Sequence, residues 1–235
     1  MREFLFGSSV SAAYVVIAIA LAVLVQRLCR ISSEALRKTL HFILLGSYIL
    51  LTVAFSVWWH AAIFASVLVA LVFPFLLILN RVPLLSGLLV ERWRGEYFGS
   101  MMMALFTMLI TVCVCWGYCG DKYLVLASVY AWGIGDGVAA LVGRRYGKHK
   151  ILWRFADAHK SVEGSLCMLA CSFLSVFTLL VIRGGLSIPV CLIVSLLAGA
   201  ATTLGEMCAR NGLDTLVCPT VAMVVILPLV RLFGG

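Results

Sequence analysis

Charge is what this sequence has least of. Only 12% of its 235 residues are Asp, Glu, Lys or Arg, while 63% are hydrophobic and the mean hydropathy is +1.12. A soluble domain is about one-quarter charged. This chain cannot cover its own surface with polar groups, which excludes a water-soluble globule. Also missing is the alternation, over about ten residues, that marks a membrane β-barrel strand. The nine Cys include no CxxC pair, and His41, His60, His149 and His159 do not flank them at zinc-ligand spacing. A structural zinc site is therefore not expected, and the cysteines read as small buried hydrophobes. There is no GxxxxGK[ST] loop, no protein-kinase signature, no serine-hydrolase elbow and no HExxH. No internal repeat stands out, and the inverted repeats of many transporters are not apparent. The length allows one domain, 1–235.

What the chain does contain is a series of apolar runs, each about twenty residues long. Lipid offers the backbone no hydrogen-bond partners, so such runs must be helices. The predicted spans are 6–26, 40–57, 61–79, 98–116, 123–142, 162–182, 186–204 and 215–231. The fold class is thus all-α, a polytopic transmembrane bundle of about eight helices. The first run follows a single Arg, is long for a signal-peptide core and has no small-residue cleavage site after it, so it reads as a retained membrane helix. Trp58-Trp59-His60 joins the second and third runs, a composition suited to a membrane interface. Pro189 and Pro228 fall near helix ends or at tolerated kinks, and Gly199 and Gly205 make the seventh run the weakest.

The few charges are distributed unevenly. Alternate loops carry Arg27, Arg30, Arg37 and Lys38; Arg81, Arg92 and Arg94; Arg144, Arg145, Lys148, Lys150, Arg154 and Lys160; and Arg210. Only Arg2, Lys122, Arg183 and Arg231 remain for the other side. The positive-inside rule places the basic loops in the cytosol and both termini outside. Arg27, Arg30 and Arg81 suit anionic lipid headgroups. Of the acids, Glu34, Glu91, Glu96, Asp136, Asp157, Glu163, Glu206 and Asp214 share the basic side or its edge, leaving Glu3 and Asp121 opposite. Acids and bases from four separate loops can therefore meet at one rim.

Four stretches on that rim carry candidate chemistry. In Gly133–Lys150, Asp136 lies inside an apolar span, where an ionisable residue is by default functional. Gly133, Gly135 and Gly137 flank it and admit close backbone approach to a phosphate or metal. If the helix continues, Asp136, Ala140, Gly143 and Gly147 share one small-residue face, which also suits plain helix packing. His159–Ser165 opens the sixth span, with Ser161 as an N-cap, Glu163 in the first turn and Lys160 just before a helix start that favours anions. Arg37, Lys38 and His41 open the second span. Glu206–Asp214, leading to Pro219, supplies hard oxygen ligands of the kind that suit magnesium.

Taken in order, Arg37-Lys38-x-x-His41, Gly135-Asp136-x-x-Ala139-x-x-x-Gly143-Arg144-x-x-Gly147-Lys148, Lys160-Ser161-x-Glu163-Gly164-Ser165 and Glu206-x7-Asp214-x4-Pro219 resemble the polyprenol kinase family. That family includes phytol, farnesol, dolichol and fungal-type diacylglycerol kinases. The resemblance covers about 37 to 220 and is nearest the short, phytol-kinase-like members. It implies a multi-helix membrane enzyme that phosphorylates a lipid alcohol with CTP and Mg2+, its catalytic loops facing the cytosol. Its partners would be that alcohol, the nucleotide and membrane lipids, with no nucleic acid. The resemblance implies Asp136, Lys160 and His41 as catalytic, and Arg37, Lys38, Gly135, Gly143, Arg144, Lys148, Ser161, Gly164 and Ser165 as nucleotide-binding. It implies Asp136, Glu163, Glu206 and Asp214 as candidate metal ligands, with Asp136 serving either as ligand or as acceptor of the alcohol proton and Glu163 either as ligand or only as a cap. Where the family often reads Asp-Asn before the Pro, Thr215 follows Asp214, so no role of that Asn carries over. The Gly-Asp and Lys-Ser-x-Glu-Gly-Ser blocks are also similar to phosphatidate cytidylyltransferases, but the later Pro-Gly-His-Gly-Gly…Asp-Arg signature of those enzymes is missing. The alternatives are a cytidylyltransferase making a CDP-lipid and a small non-enzymatic transporter using Asp136 as an ion site.

Overall fold

The computed structural model describes residues 2–29, 33–79, 96–151, 153, 160–209 and 212–234. Arg30, Arg81, Arg92, Arg94, Arg154, Arg210, Glu91, Asp157 and His159 lie outside the described residues. Among the described residues the chain forms eight helical rods. They are α1 (Arg2–Cys29), α2 (Ser33–Ala54), α3 (Trp58–Leu79), α4 (Glu96–Thr111, continuing as a π-helical segment Val112–Tyr118), α5 (Lys122–Tyr146), α6 (Val162–Arg183), α7 (Ile188–Cys208) and α8 (Asp214–Leu232). Seven rods are long and apolar enough to cross a membrane, and Trp58–Leu71 is a shorter apolar stretch. The protein is a multi-pass helical membrane protein.

The rods match the predicted spans, with differences at their polar ends. Helix α2 begins at Ser33, seven residues before the apolar run. It stops at Ala54, so Trp58-Trp59-His60 opens α3 instead of lying between two helices. Helix α5 runs to Tyr146, past the last apolar residue, and ends with Arg144 and Arg145 in a last turn that favours cations. Helix α7 is unbroken despite Gly199 and Gly205.

The chain divides into two compact units, Met1–Leu109 and Ile110–Gly235. In the first, α1 runs beside α2. Glu3 accepts the Ser56 N–H at 2.9 Å, and the Tyr14 hydroxyl donates to the Ile43 carbonyl at 3.2 Å. Gly7 is required by proximity: a Cβ there would stand 2.8 Å from the Ala54 carbonyl oxygen. Tyr48, fully buried, reaches the Ala104 carbonyl at 3.4 Å.

In the second unit, α5, α6, α7 and α8 pack in sequence and α8 returns to α5, closing a four-helix bundle. Its centre holds Val129, Met168, Val176, Val194, Cys218 and Ile226. Small residues bring the backbones close, as membrane helices require when lipid is as apolar as leucine; a Cβ on Gly199 would lie 3.1 Å from the Phe173 backbone nitrogen. Buried hydroxyls are satisfied by carbonyls. Thr202 donates to Ala198 at 2.7 Å and Thr203 to Gly199 at 2.8 Å, while Ser172 crosses from α6 to the Ala131 carbonyl of α5. The end of the bundle where α5 begins is tied by polar contacts. Asp121 caps α5 through the Tyr123 N–H at 2.8 Å and pairs with Arg183 of α6. Arg231 of α8 lies 4.9 Å from the Tyr118 ring centroid and donates to Cys119 Sγ at 3.4 Å.

Candidate active site

At the opposite end of the second unit, the last turns of α5 and α7 meet the first turns of α6 and α8, and the charges predicted for one rim converge there. The Lys160 ammonium pairs directly with Glu206. The Glu206 side chain is only 5% exposed and that of Lys160 25%, so this pair lies within the bundle end and is not a surface contact. Burial is the largest single influence on Lys160 and disfavours its charge. The combined fields of Glu206, Asp214 and Asp136 outweigh that influence and hold its pKa above the ordinary lysine value. The same four charges act on Cys218, buried in the first turns of α8. Asp136 is the deepest along its helix: it lies ten residues before the end of α5, about 15 Å at the helical rise. Asp214 stands at the first residue of α8, where the helix dipole favours an acid.

The α5–α6 contact is built from the predicted glycines. Ser161 Oγ is buried and accepts the Gly164 N–H at 3.2 Å, capping α6 as expected. A Cβ on Gly143 would stand 3.2 Å from that oxygen, and one on Gly147 would stand 2.9 Å from Ser161 Cβ. A Cβ on Gly164 would lie 3.3 Å from the Ala139 carbonyl oxygen, and one on Gly135 would run into Met168. The small-residue face around Asp136 thus serves helix packing, and that packing fixes the backbone that carries Lys160. Ser165 continues the first turn, its N–H donating to the Ser161 carbonyl at 3.0 Å.

Glu163 is engaged elsewhere. Its carboxylate accepts the backbone N–H groups of Lys148 and His149, each at 3.2 Å, and meets His149 Nδ1 at 2.7 Å. The chain at 149–151 runs antiparallel to 160–162, with Val162 N–H on the His149 carbonyl at 2.9 Å and Ile151 N–H on the Lys160 carbonyl at 3.3 Å. In the sequence His149 stands between Lys148 and Lys150, and no local pattern marks a partner fourteen residues away. Arg144 and Lys148 are exposed beyond these contacts. Arg37, Lys38 and His41 lie within the first three turns of α2, in the first unit.

Among the described residues, no three of His, Cys, Asp and Glu stand together as a complete metal site.

No family model matches the chain. No solved structure matches it. It is similar to a phytol kinase of Synechocystis, 29% identical over 89% of this chain and 85% of that protein. The similarity bears out the resemblance to the polyprenol kinase family carried by the ordered motifs.

Proposed function

We propose that this protein is a lipid-alcohol kinase that transfers the terminal phosphate of CTP to an isoprenoid alcohol such as phytol. The observation that carries this reading is the convergence of Lys160, Glu206, Asp136 and Asp214 on one bundle end, in a chain similar to a phytol kinase. Phosphoryl transfer needs little beyond positioning and charge stabilisation. Lys160, Arg144 and Lys148 hold the nucleotide phosphates at the cytosolic face. Asp136, the one acid of the group deep within its span, accepts the alcohol proton. The alcohol oxygen bonds to the terminal phosphorus as the bond from that phosphorus to the bridging oxygen breaks, and CDP leaves. Glu206 and Asp214 would hold Mg2+, which supplies charge neutralisation on the phosphates when bound. The acceptor is dissolved in lipid, which is why the catalyst is a membrane bundle.

The test uses detergent-purified protein, Mg2+ and CTP labelled on the gamma phosphate, offered phytol, farnesol, a long polyprenol and diacylglycerol in turn. Label appearing in lipid is the expected result and names the acceptor. Labelled pyrophosphate released from CTP when lipid phosphates are supplied, with no label in lipid, would replace the kinase by a cytidylyltransferase.

A further inference from the structure

Glu163 stands among the implied metal ligands, yet its surroundings describe another task. Oε1 faces two backbone N–H groups and His149 Nδ1, and Oε2 lies 3.4 Å from the His149 N–H. The three acids that surround Lys160 are Glu206, Asp214 and Asp136. What the Glu163 contacts do is lash the segment after α5 to the start of α6. Two backbone hydrogen bonds also join 149–151 to 160–162. Lys148 and Lys160 lie at opposite ends of this antiparallel joint, Lys148 beside Glu163 and Lys160 beside Ile151, and the Ser161–Gly143–Gly147 contact anchors one side of it.

We propose that Glu163 is a positioning residue. With His149 it forms a clip that fixes the Lys148–Ile151 segment against the Lys160–Val162 segment and thereby sets the spacing of Lys148 and Lys160. This rests on the reading above only for what the two lysines hold, the phosphates of a nucleotide. The clip is built largely from backbone donors, so an amide oxygen can replace much of it. Glu163→Gln keeps an acceptor for the N–H groups, whereas Glu163→Ala removes it. Loosening the joint lets it open locally without unfolding the bundle.

Two measurements decide the matter. The first is limited trypsin cleavage after Lys148 and Lys150 in detergent-purified protein without nucleotide, which reads the clip alone. Glu163→Ala is expected to be cut about fivefold faster than wild type, and Glu163→Gln at nearly the wild-type rate. Equal rates in all three proteins would overturn the clip. The second is the kinetic split for CTP with Mg2+. Glu163→Ala is expected to raise KM for CTP about tenfold with a smaller change in kcat, and Glu163→Gln to restore most of the loss. A Gln variant as impaired as the Ala variant, with a raised Mg2+ requirement, would return Glu163 to the metal. If wild-type protein transfers no phosphate from CTP, the kinase reading fails, and the protease result still decides the clip.

Discussion

Replacing Glu206 by Gln probes the charge arrangement of the bundle end directly. The change keeps the shape of the side chain and removes the direct partner of Lys160, whose side chain is 25% exposed against 5% for Glu206. Removing one member of a buried ion pair costs about 3–5 kcal/mol. The partial exposure of Lys160 and the remaining fields of Asp136 and Asp214 place the expectation at the lower end, about 3 kcal/mol. For a chain of this size that lowers the apparent Tm by roughly 6–12 °C. The pH dependence then fixes the cause. In wild type the folded pKa of Lys160 is raised above 10.5. Its charge therefore adds stability that is complete below about pH 10.5 and disappears as pH climbs through the raised value. Removing Glu206 takes away the leading influences that oppose burial, and the expectation is that the folded pKa of Lys160 then falls below that of the unfolded chain. The unfolded chain then binds the extra proton, so the variant gains stability relative to wild type as pH approaches 10.5. Thermal unfolding of both proteins in detergent with a chelator, from about pH 7 to pH 10, should show a Tm deficit that shrinks with pH. A deficit that is absent, or that grows with pH, would refute the buried-pair account.

Other expectations follow from the same geometry. Asp136→Asn should reduce phosphate transfer about a thousandfold while membrane insertion and Tm stay near wild type; retained turnover in an inserted variant would remove Asp136 from the chemistry. Gly147→Ala places a methyl 2.9 Å from Ser161 Cβ and should destabilise the protein by about 1–3 kcal/mol, read as a lower apparent Tm. Arg183→Met leaves Asp121 without its partner at the far end of the bundle. It should lower stability by about 3 kcal/mol, with KM for CTP unchanged in the protein that remains folded.

The helices were legible because hydropathy alone decides where a backbone can cross lipid, and each predicted run sits on one rod. Their polar ends were not. Nothing in the apolar count reveals that Ser33–Thr39 is already helical or that α5 continues through Arg145, since those turns are held by backbone hydrogen bonds and helix-dipole charges. The π-helical turn at Val112–Tyr118 has the same composition as ordinary helix around it. At the site, convergence on one rim could be read from loop charges, and the Ser161 cap from its place before Glu163. The pairings themselves were beyond reach. Lys160 meets Glu206 across forty-six residues and Asp121 meets Arg183 across sixty-two, and each choice is made by how four helices close a ring.

The close seams of that ring bear on how a lipid enters. Between α5 and α6, at Gly143, Gly147 and Gly164, a single added methyl would meet the neighbouring chain. At Gly199 the α6–α7 seam is as tight. No hydrocarbon chain threads a gap that refuses one carbon. At those glycines the α5–α6 and α6–α7 seams are closed to the tail of a lipid alcohol.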